Sequence, residues 1–209
     1  MSRPIVFDCD GVLVDSEELA WSAWRDALAP HGVEISDNEI AELSGRTEKD
    51  AFAHFAARAD LPPYDEFWPL LADRVHALFE QYLEAFEDAA DTLEILHGQG
   101  RPIAVASSSP RDRLNLSLHS TGLDRFFEVV IAGDEVANGK PAPDIYLAAA
   151  AGLGVDPTIC VAVEDAPAGI AAGKAAGMQV VAVLRGSYPA DQLTEADIIV
   201  PRLTPAVLA

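Results

Sequence analysis

The spacing of apolar residues changes along the chain. Residues 4–7 form a short apolar run that stops at Asp8, and its length favours a buried strand over a helix. Helix-type segments then follow without a convincing strand until about residue 87. Ser36 with Glu39 three residues later forms a capping-box pattern at the start of one of them. The predicted helices of this part span 16–30, 36–43, 47–59 and 66–86.

Strands and helices alternate in the remainder of the chain. The predicted strands lie in the segments PIAVASS, FEVVIAG, ICVAVED, QVVAVL and DIIVP. The predicted helices between them span 90–98, 110–121, 143–152 and 167–176. Continuous apolar strands that alternate with helices are typical of a parallel sheet covered on both faces. We therefore predict an α/β fold with a Rossmann-like parallel sheet core, residues 1–15 and 88–209, and an inserted α-helical domain, residues 16–87.

Length and charge limit the possible partners. The 209 residues suffice for one domain of ordinary size with a sizeable insertion, or for two small domains. The net charge of −20 repels nucleic-acid phosphates and anionic lipid headgroups, so we expect neither as a partner. The same charge repels anionic small molecules at long range. A site that handles phosphate therefore needs cations of its own.

Cysteine content and hydropathy bear on location. Cys9 and Cys160 lie in or beside apolar runs and predict small buried side chains rather than a disulfide framework. The N-terminal residues do not resemble a signal peptide, because aspartates begin at residue 8. No segment approaches the roughly 18 consecutive apolar residues of a membrane span. We expect a cytoplasmic monomer.

Acidic residues follow two of the predicted strands. Asp8 and Asp10 come after the first, and Glu164 and Asp165 end the segment ICVAVED. In parallel sheets, ligands bind beyond the carboxyl ends of the strands. Carboxylates clustered there suit Mg²⁺, which prefers one or two carboxylates, waters and a phosphate oxygen. The alternatives are a surface turn at Asp8 and acids that favour a helix start at Glu164.

Cationic and hydroxyl groups occur at the same predicted edge. Lys140, one of three lysines in the chain, lies in a loop after a strand and could neutralise a phosphoryl group. Ser107, with Ser108 and Ser109, ends a strand and opens a helix, where hydroxyl and N–H groups can hold phosphate oxygens. The alternatives are a solvated lysine and a helix N-cap.

Four motifs in order resemble those of the haloacid dehalogenase-like hydrolases. FDCDGVLVDSE is similar to the first family motif, VASSS to the second, KPAPD to the third and VEDAPAGIAAGKAAGM to the fourth. The resemblance covers essentially the whole chain and lies with the branch that contains β-phosphoglucomutase and small sugar-phosphate phosphatases. The inserted helices stand where this family carries a helical cap.

The resemblance implies a role for each matching residue. Asp8 would be the nucleophile that forms an aspartyl-phosphate, and Asp10 the general acid and then the general base. Ser107 and Lys140 would hold the phosphoryl oxygens. The Mg²⁺ ligands would be Asp8, Asp10 through its backbone carbonyl, Glu164 and Asp165. Candidate substrate-binding residues are Asp15 at the entry to the cap, Trp24, Gly45, Arg46, Thr47, Lys49, Ser108 and Ser109.

Two positions depart from the mutase pattern of this branch. Mutases carry a histidine four residues before the tryptophan that matches Trp24, and this chain has Ala20. They also carry an arginine three residues after the cap-loop glycine, where this chain has Glu48, a carboxylate that would repel a second phosphate. Arg46 or Lys49 could bind that anion instead, or belong to a solvated loop.

We therefore predict a magnesium-dependent phosphatase that hydrolyses a small phosphorylated metabolite. Sugar phosphates are the substrate class that we expect first, followed by small phosphorylated acids such as phosphoglycolate. A β-phosphoglucomutase-type mutase is the alternative. A dehalogenase is disfavoured because that reaction needs neither the second aspartate nor magnesium. A member that only binds a phosphometabolite stays open, although the set Asp8, Asp10, Ser107, Lys140 and Asp165 argues against it.

Overall fold

The computed structural model describes residues 3–43, 48–185 and 187–209, and the side chain of Ala41 is not included. The chain divides into two compact units, Met1–Asp15 with Glu84–Ala209, and Ser16–Leu83. The return to the first unit comes earlier than the predicted residue 88. The reason is a pair of backbone hydrogen bonds, from Asp15 N–H to Glu84 O at 3.0 Å and from Phe86 N–H to Leu13 O at 3.0 Å.

Six parallel strands form the sheet of the first unit. They are β1 Ile5–Phe7, β2 Ile103–Ala106, β3 Val129–Ile131, β4 Val161–Glu164, β5 Gln179–Val183 and β6 Ile198–Val200. Their order is β3-β2-β1-β4-β5-β6, and every neighbouring pair is parallel. The central strands β1, β2 and β4 are entirely buried, whereas the edge strand β3 is only partly buried. The α/β fold class predicted from the sequence is confirmed.

The second unit consists of helices within the described residues. They are α1 Glu17–Leu28, α2 Asp37–Leu43, α3 Glu48–Ala56 and α4 Tyr64–Tyr82. Its core contains Trp24, whose ring centroid lies 5.8 Å from that of Phe55 and 5.7 Å from that of Phe67. The capping box at α2 is present, since Ser36 N–H donates to Glu39 Oε2 at 2.9 Å and Glu39 N–H donates to Ser36 Oγ at 3.3 Å.

Four further helices belong to the sheet unit. They are α5 Glu87–Gly98, α6 Arg111–Ser120, α7 Asp144–Gly152 and α8 Pro167–Ala175. Helix α7 packs against β2 and β3, and α8 packs against β4 and β5. The predicted helix 66–86 was too long, because the backbone is already extended at Leu83. No helix among the described residues is long and apolar enough to cross a membrane.

Candidate active site

The carboxyl ends of the central strands bring the predicted acidic residues to one edge of the sheet. Asp8 follows β1, Ser107 follows β2, and Glu164 is the last residue of β4. Asp8 N–H donates to Val163 O at 2.9 Å, which continues the pairing of β1 with β4 past the end of the strand. Asp8, Ser107, Glu164 and Asp165 are all buried. The sheet edge is therefore a compact group of buried polar side chains.

Lys140 reaches this edge from the loop between β3 and α7. Its Nζ donates to Asp8 Oδ1 at 2.6 Å, to Glu164 Oε1 at 2.6 Å and to Ala106 O at 3.2 Å. The lysine side chain is only 8% exposed. Burial opposes the charged ammonium, but the ion pairs with Asp8 and Glu164 outweigh it and raise the pKa of Lys140 above its usual value. The Lys140 side chain is therefore buried and ion-paired rather than solvated.

Asp8 is held in an environment that disfavours its ionised form. Burial raises the pKa of Asp8 to about 7, Lys140 opposes the shift, and the charges of Glu164 and Asp10 add to it. A further cation beside Asp8 would favour its carboxylate form. Carboxyl groups whose pKa is raised by burial are common at reactive sites.

Three carboxylates can share one cation. An oxygen from each of Asp8, Glu164 and Asp165 lies within 4.8 Å of the others. Two glycines let these groups pack closely, because a Cβ at Gly11 would lie 2.1 Å from Asp165 Oδ2 and one at Gly169 would lie 1.9 Å from Glu164 Cδ. Gly11 also has a φ of +77°, which side chains rarely adopt. Three hard oxygen donors in this arrangement fit a divalent cation such as Mg²⁺.

Asp10 faces hydroxyl groups instead of that cluster. Its Oδ2 accepts from the Ser109 hydroxyl at 2.8 Å and from the Ser107 hydroxyl at 3.4 Å. Ser109 N–H donates to Ser107 Oγ at 3.0 Å, and the N-cap position of α6 is Pro110, so these serine side chains do not cap that helix. Ser108 is exposed. The hydroxyls orient the carboxylate of Asp10, and its backbone carbonyl remains a predicted metal ligand.

Three residues of the site were missed from the sequence. The Tyr146 hydroxyl donates to Glu164 Oε1 at 2.6 Å, and an Arg113 nitrogen lies 3.9 Å from Asp10 Oδ1. Gly169 leaves room for the Glu164 carboxyl group. Tyr146 and Gly169 lie within or just after the third and fourth motifs, which is the one signal that could have directed attention to them.

Of the other predicted substrate-binding residues, the structure describes Asp15 in the sheet unit and Trp24 and Lys49 in the helical unit. Asp15 is exposed at the end of the first stretch of the sheet unit. Trp24 is 6% exposed within the helical unit, which agrees with the packing alternative. Lys49 is exposed, with Nζ 5.6 Å from the Tyr64 ring centroid. The predictions for Gly45, Arg46 and Thr47 lie outside the described residues.

The haloacid dehalogenase-like hydrolase family description matches residues 5–183 of the chain. The chain belongs to this family. The resemblance read from the four motifs is confirmed, and the protein is an enzyme of the family. The matched range contains all the residues of the strand-edge cluster, from Asp8 to Asp165.

Curated relatives of this family enzyme include phosphatases of small molecules. It is 36% identical over 183 residues to the fructose-1-phosphate phosphatase YqaB of Escherichia coli (strain K12), with 86% of this chain and 95% of the relative covered. It is 33% identical over 204 residues to the validoxylamine A 7'-phosphate phosphatase of Streptomyces hygroscopicus subsp. limoneus, with 98% and 95% covered. Both alignments cover nearly the full length of the relative.

Solved structures share the fold across the whole chain. The structure of CbbY from Rhodobacter sphaeroides in complex with phosphate has a TM-score of 0.85 and 29% identity, with 97% of this chain and 95% of that chain covered. A HAD family hydrolase from Deinococcus radiodurans R1, with bound phosphate and sodium, has a TM-score of 0.78 and 33% identity, with 99% and 93% covered.

Proposed function

We propose that this enzyme is a magnesium-dependent phosphatase that hydrolyses a small phosphorylated sugar through an aspartyl-phosphate intermediate. One observation carries the proposal. Asp8, a buried carboxylate at the end of the central strand, is paired at 2.6 Å with the buried ammonium of Lys140 and shares a cation-sized cluster with Glu164 and Asp165. A nucleophile, a phosphate-neutralising cation and a metal site thus occur together.

In the first step an oxygen of the Asp8 carboxylate bonds to phosphorus and the ester P–O bond breaks. Asp10 donates its proton to the leaving sugar oxygen. The ammonium of Lys140 and the hydroxyl of Ser107 hold the phosphoryl oxygens, so the negative charge that spreads over these oxygens is stabilised. The products of this step are the free sugar and phosphorylated Asp8.

In the second step water attacks phosphorus as Asp10 removes its proton. The bond between phosphorus and Asp8 breaks, which releases inorganic phosphate and restores the carboxylate. The Ser109 hydroxyl donates to Asp10 Oδ2 at 2.8 Å and orients the carboxyl group for both proton transfers. Asp10 therefore acts first as an acid and then as a base from one position.

Asp8, Glu164, Asp165 and the backbone carbonyl of Asp10 would hold the magnesium ion. When bound, the ion supplies positive charge that offsets the repulsion between these carboxylates and the phosphoryl oxygens. The buried environment that raises the pKa of Asp8 supports this assignment, because such a carboxylate is stabilised in its ionised form by a neighbouring cation.

The relatives support a phosphorylated sugar as the substrate class. Fructose-1-phosphate phosphatase and hexitol phosphatase A, both of Escherichia coli (strain K12), are 36% identical to this chain. The mutase alternative is not better supported, since Ala20 and Glu48 depart from the mutase pattern. Both residues are partly exposed on helices of the second unit, α1 and α3.

The remaining predictions concern partners and location. The net charge of −20 supports the absence of nucleic-acid and membrane partners. Cys9 and Cys160 are both buried and free, which supports a reducing compartment such as the cytoplasm. A monomer remains our prediction. The partner proposed for the site is a small phosphorylated metabolite alone.

A panel of phosphorylated metabolites tests the function. Phosphate release is measured from fructose 1-phosphate, hexitol phosphates, β-glucose 1-phosphate and phosphoglycolate, with Mg²⁺ and with chelator, for the enzyme and for Asp8→Asn. Mg²⁺-dependent release that the variant loses is expected. Formation of glucose 6-phosphate from β-glucose 1-phosphate without free phosphate would instead identify a mutase. No release from any substrate would favour a binding protein.

A further inference from the structure

The hydrogen-bonding capacity of Lys140 is fully used in the structure. An ammonium group has three N–H donors and no acceptor. Its three partners are Asp8 Oδ1, Glu164 Oε1 and Ala106 O. A phosphoryl oxygen can therefore accept from Lys140 only if one of these partners gives up its hydrogen bond. The identity of that partner decides how strongly the site binds phosphate.

Glu164 differs from the other two partners. Its Oε1 also accepts from the Tyr146 hydroxyl at 2.6 Å. Among the described residues, a second side chain donates to Glu164 Oε1, but none is seen to donate to Asp8 Oδ1 or to Ala106 O. Loss of the lysine would leave the Ala106 carbonyl without its side-chain donor, and it would leave Asp8 without its ion pair. Glu164 would also lose an ion pair, but its Oε1 would keep the Tyr146 hydroxyl as a donor, so the bond to Glu164 is the one that costs least to release.

The side chain of Tyr146 is held in place by burial and by contacts with Lys140 and Glu164. It is fully buried in α7, and its ring centroid lies 5.1 Å from Lys140 Nζ. Its hydroxyl donates to Glu164 Oε1 at 2.6 Å. The ring supports the ammonium while the hydroxyl contacts Glu164.

We propose that Tyr146 is a positioning residue that retains Glu164 Oε1 when Lys140 turns toward the phosphoryl oxygens. The proposal rests on the function proposed above, since it takes Lys140 as the phosphate-binding cation. The hydroxyl would keep Glu164 hydrogen-bonded throughout the cycle. It would thereby lower the free-energy cost of replacing the hydrogen bond between Lys140 and Glu164 with one between Lys140 and a phosphoryl oxygen.

The variant Tyr146→Phe removes the hydroxyl and keeps the ring that faces Lys140. The probe is inorganic phosphate, titrated with Mg²⁺ present and followed by calorimetry, so the readout does not depend on turnover. We expect phosphate to bind about 5- to 10-fold more weakly, the loss of roughly one hydrogen bond to a charged group. KM for the substrate should rise by a similar factor, while kcat changes less.

Thr121→Val is the matched control. The Thr121 hydroxyl donates to Ser117 O at 2.7 Å at the C-terminal end of α6, so its loss also removes one short hydrogen bond from the sheet unit. Tyr146→Phe should lower the melting temperature at least as much as the control, because its hydrogen bond is buried and goes to a carboxylate, and only Tyr146→Phe should weaken phosphate binding. Equal phosphate affinity in Tyr146→Phe and the unaltered enzyme would overturn the proposal.

A double-mutant cycle tests whether the hydroxyl acts through Glu164. In the background Glu164→Gln, with Mg²⁺ raised until it saturates both proteins, adding Tyr146→Phe should change phosphate affinity by less than about 2-fold, because the charged acceptor is gone. A full effect in that background would overturn the proposed route. If the unaltered enzyme neither releases nor binds phosphate, the proposed function fails and this inference fails with it. An active enzyme with an unchanged affinity in Tyr146→Phe refutes the inference alone.

Discussion

Asp8 in the sheet unit and Glu39 in the helical unit both pair with a cationic side chain, but their pKa values are shifted in opposite directions. Asp8 accepts a 2.6 Å hydrogen bond from Lys140, and Glu39 accepts a 2.6 Å hydrogen bond from Arg58. Burial nevertheless raises the pKa of Asp8 to about 7. The Ser36 backbone and hydroxyl, followed by His54, lower the pKa of Glu39 to about 2, with a smaller contribution from Arg58.

The difference shows that solvent exposure, and not the presence of a cation, separates the chemical site from the structural one. Asp8 is buried among other carboxylates, so its ionisation is disfavoured. A cation bound beside it would stabilise its charged form. Glu39 is nearer to solvent and accepts from donors at a helix start, so its charge stabilises α2 and the contacts with His54 and Arg58.

The largest effect is expected from Asp8→Asn. The amide cannot serve as the nucleophile, so phosphate release should fall at least about 10³-fold. Asp91→Asn, at an exposed position of α5, should leave the rate unchanged. A variant that keeps more than a tenth of the activity would remove Asp8 from the mechanism.

The same variant tests the cost of burying Asp8. Its folded-state pKa is raised from 3.8 to about 7, so in metal-free protein the folded state binds the extra proton in this window. The stability linked to that proton is present below about pH 4 and is lost as the pH rises through 7. In chelator, Asp8→Asn should therefore melt above the unaltered enzyme at pH 8, and this gap should narrow at pH 5. A lower melting temperature at pH 8 would mean that the ion pair with Lys140 dominates.

The next effect concerns the metal. Chelator should abolish phosphate release, and Asp165→Asn should raise the Mg²⁺ concentration needed for half-maximal activity by about 10- to 100-fold. The rise in melting temperature on adding Mg²⁺ should shrink in parallel. Asp191→Asn, exposed in the same unit, is the control and should need as much Mg²⁺ as the unaltered enzyme. Full activity in chelator would refute the metal site.

The same contrast explains what could be read from the sequence. Asp8, Glu164 and Asp165 could be predicted from the sequence because they stand at the ends of continuous apolar runs. Parallel strands bring their carboxyl ends to one edge of the sheet. Tyr146 was not, since a tyrosine in an alanine-rich helix predicts core packing equally well. Its contact with Glu164 depends on how α7 lies on the sheet, which periodicity does not specify.

Arg113 illustrates a second limit. It lies two positions after Arg111 on α6, and both are cations near the start of a helix. In the structure Arg111 pairs with Glu135 and donates to Val130 O at 2.7 Å, whereas Arg113 approaches Asp10. Sequence gives no means of distinguishing them, because the direction of each side chain is set by tertiary packing. The end of α4 was misjudged for a related reason, since pairing of 84–86 with 13–15 overrides helical tendency there.

A moderate effect is expected from Gly169→Ala in α8. The added Cβ would lie 1.9 Å from Glu164 Cδ, so the carboxyl group must move away from Lys140 and Tyr146. We expect the free energy of unfolding to fall by about 1–3 kcal/mol, together with loss of phosphate release. Gly98→Ala in α5 is the matched control, because a Cβ there meets nothing within 4 Å. Equal behaviour of the two variants would show that Glu164 is not tightly confined.

The smallest effect is expected from Glu39→Gln on the structural side of the contrast. Because Glu39 has a pKa lowered from 4.5 to about 2, its stabilising charge is present above about pH 4.5 and is lost as the pH falls through 2. Near solvent, the capping box and its ion pair are worth about 1 kcal/mol or less. Hydrogen exchange of the α2 amides should therefore be faster in the variant at pH 7, and the difference should diminish toward pH 3. Glu80→Gln, exposed on α4, should leave α2 exchange unchanged. Phosphate release should be the same in all three proteins, and a loss of activity in Glu39→Gln would show that this partly exposed carboxylate also takes part in the chemistry.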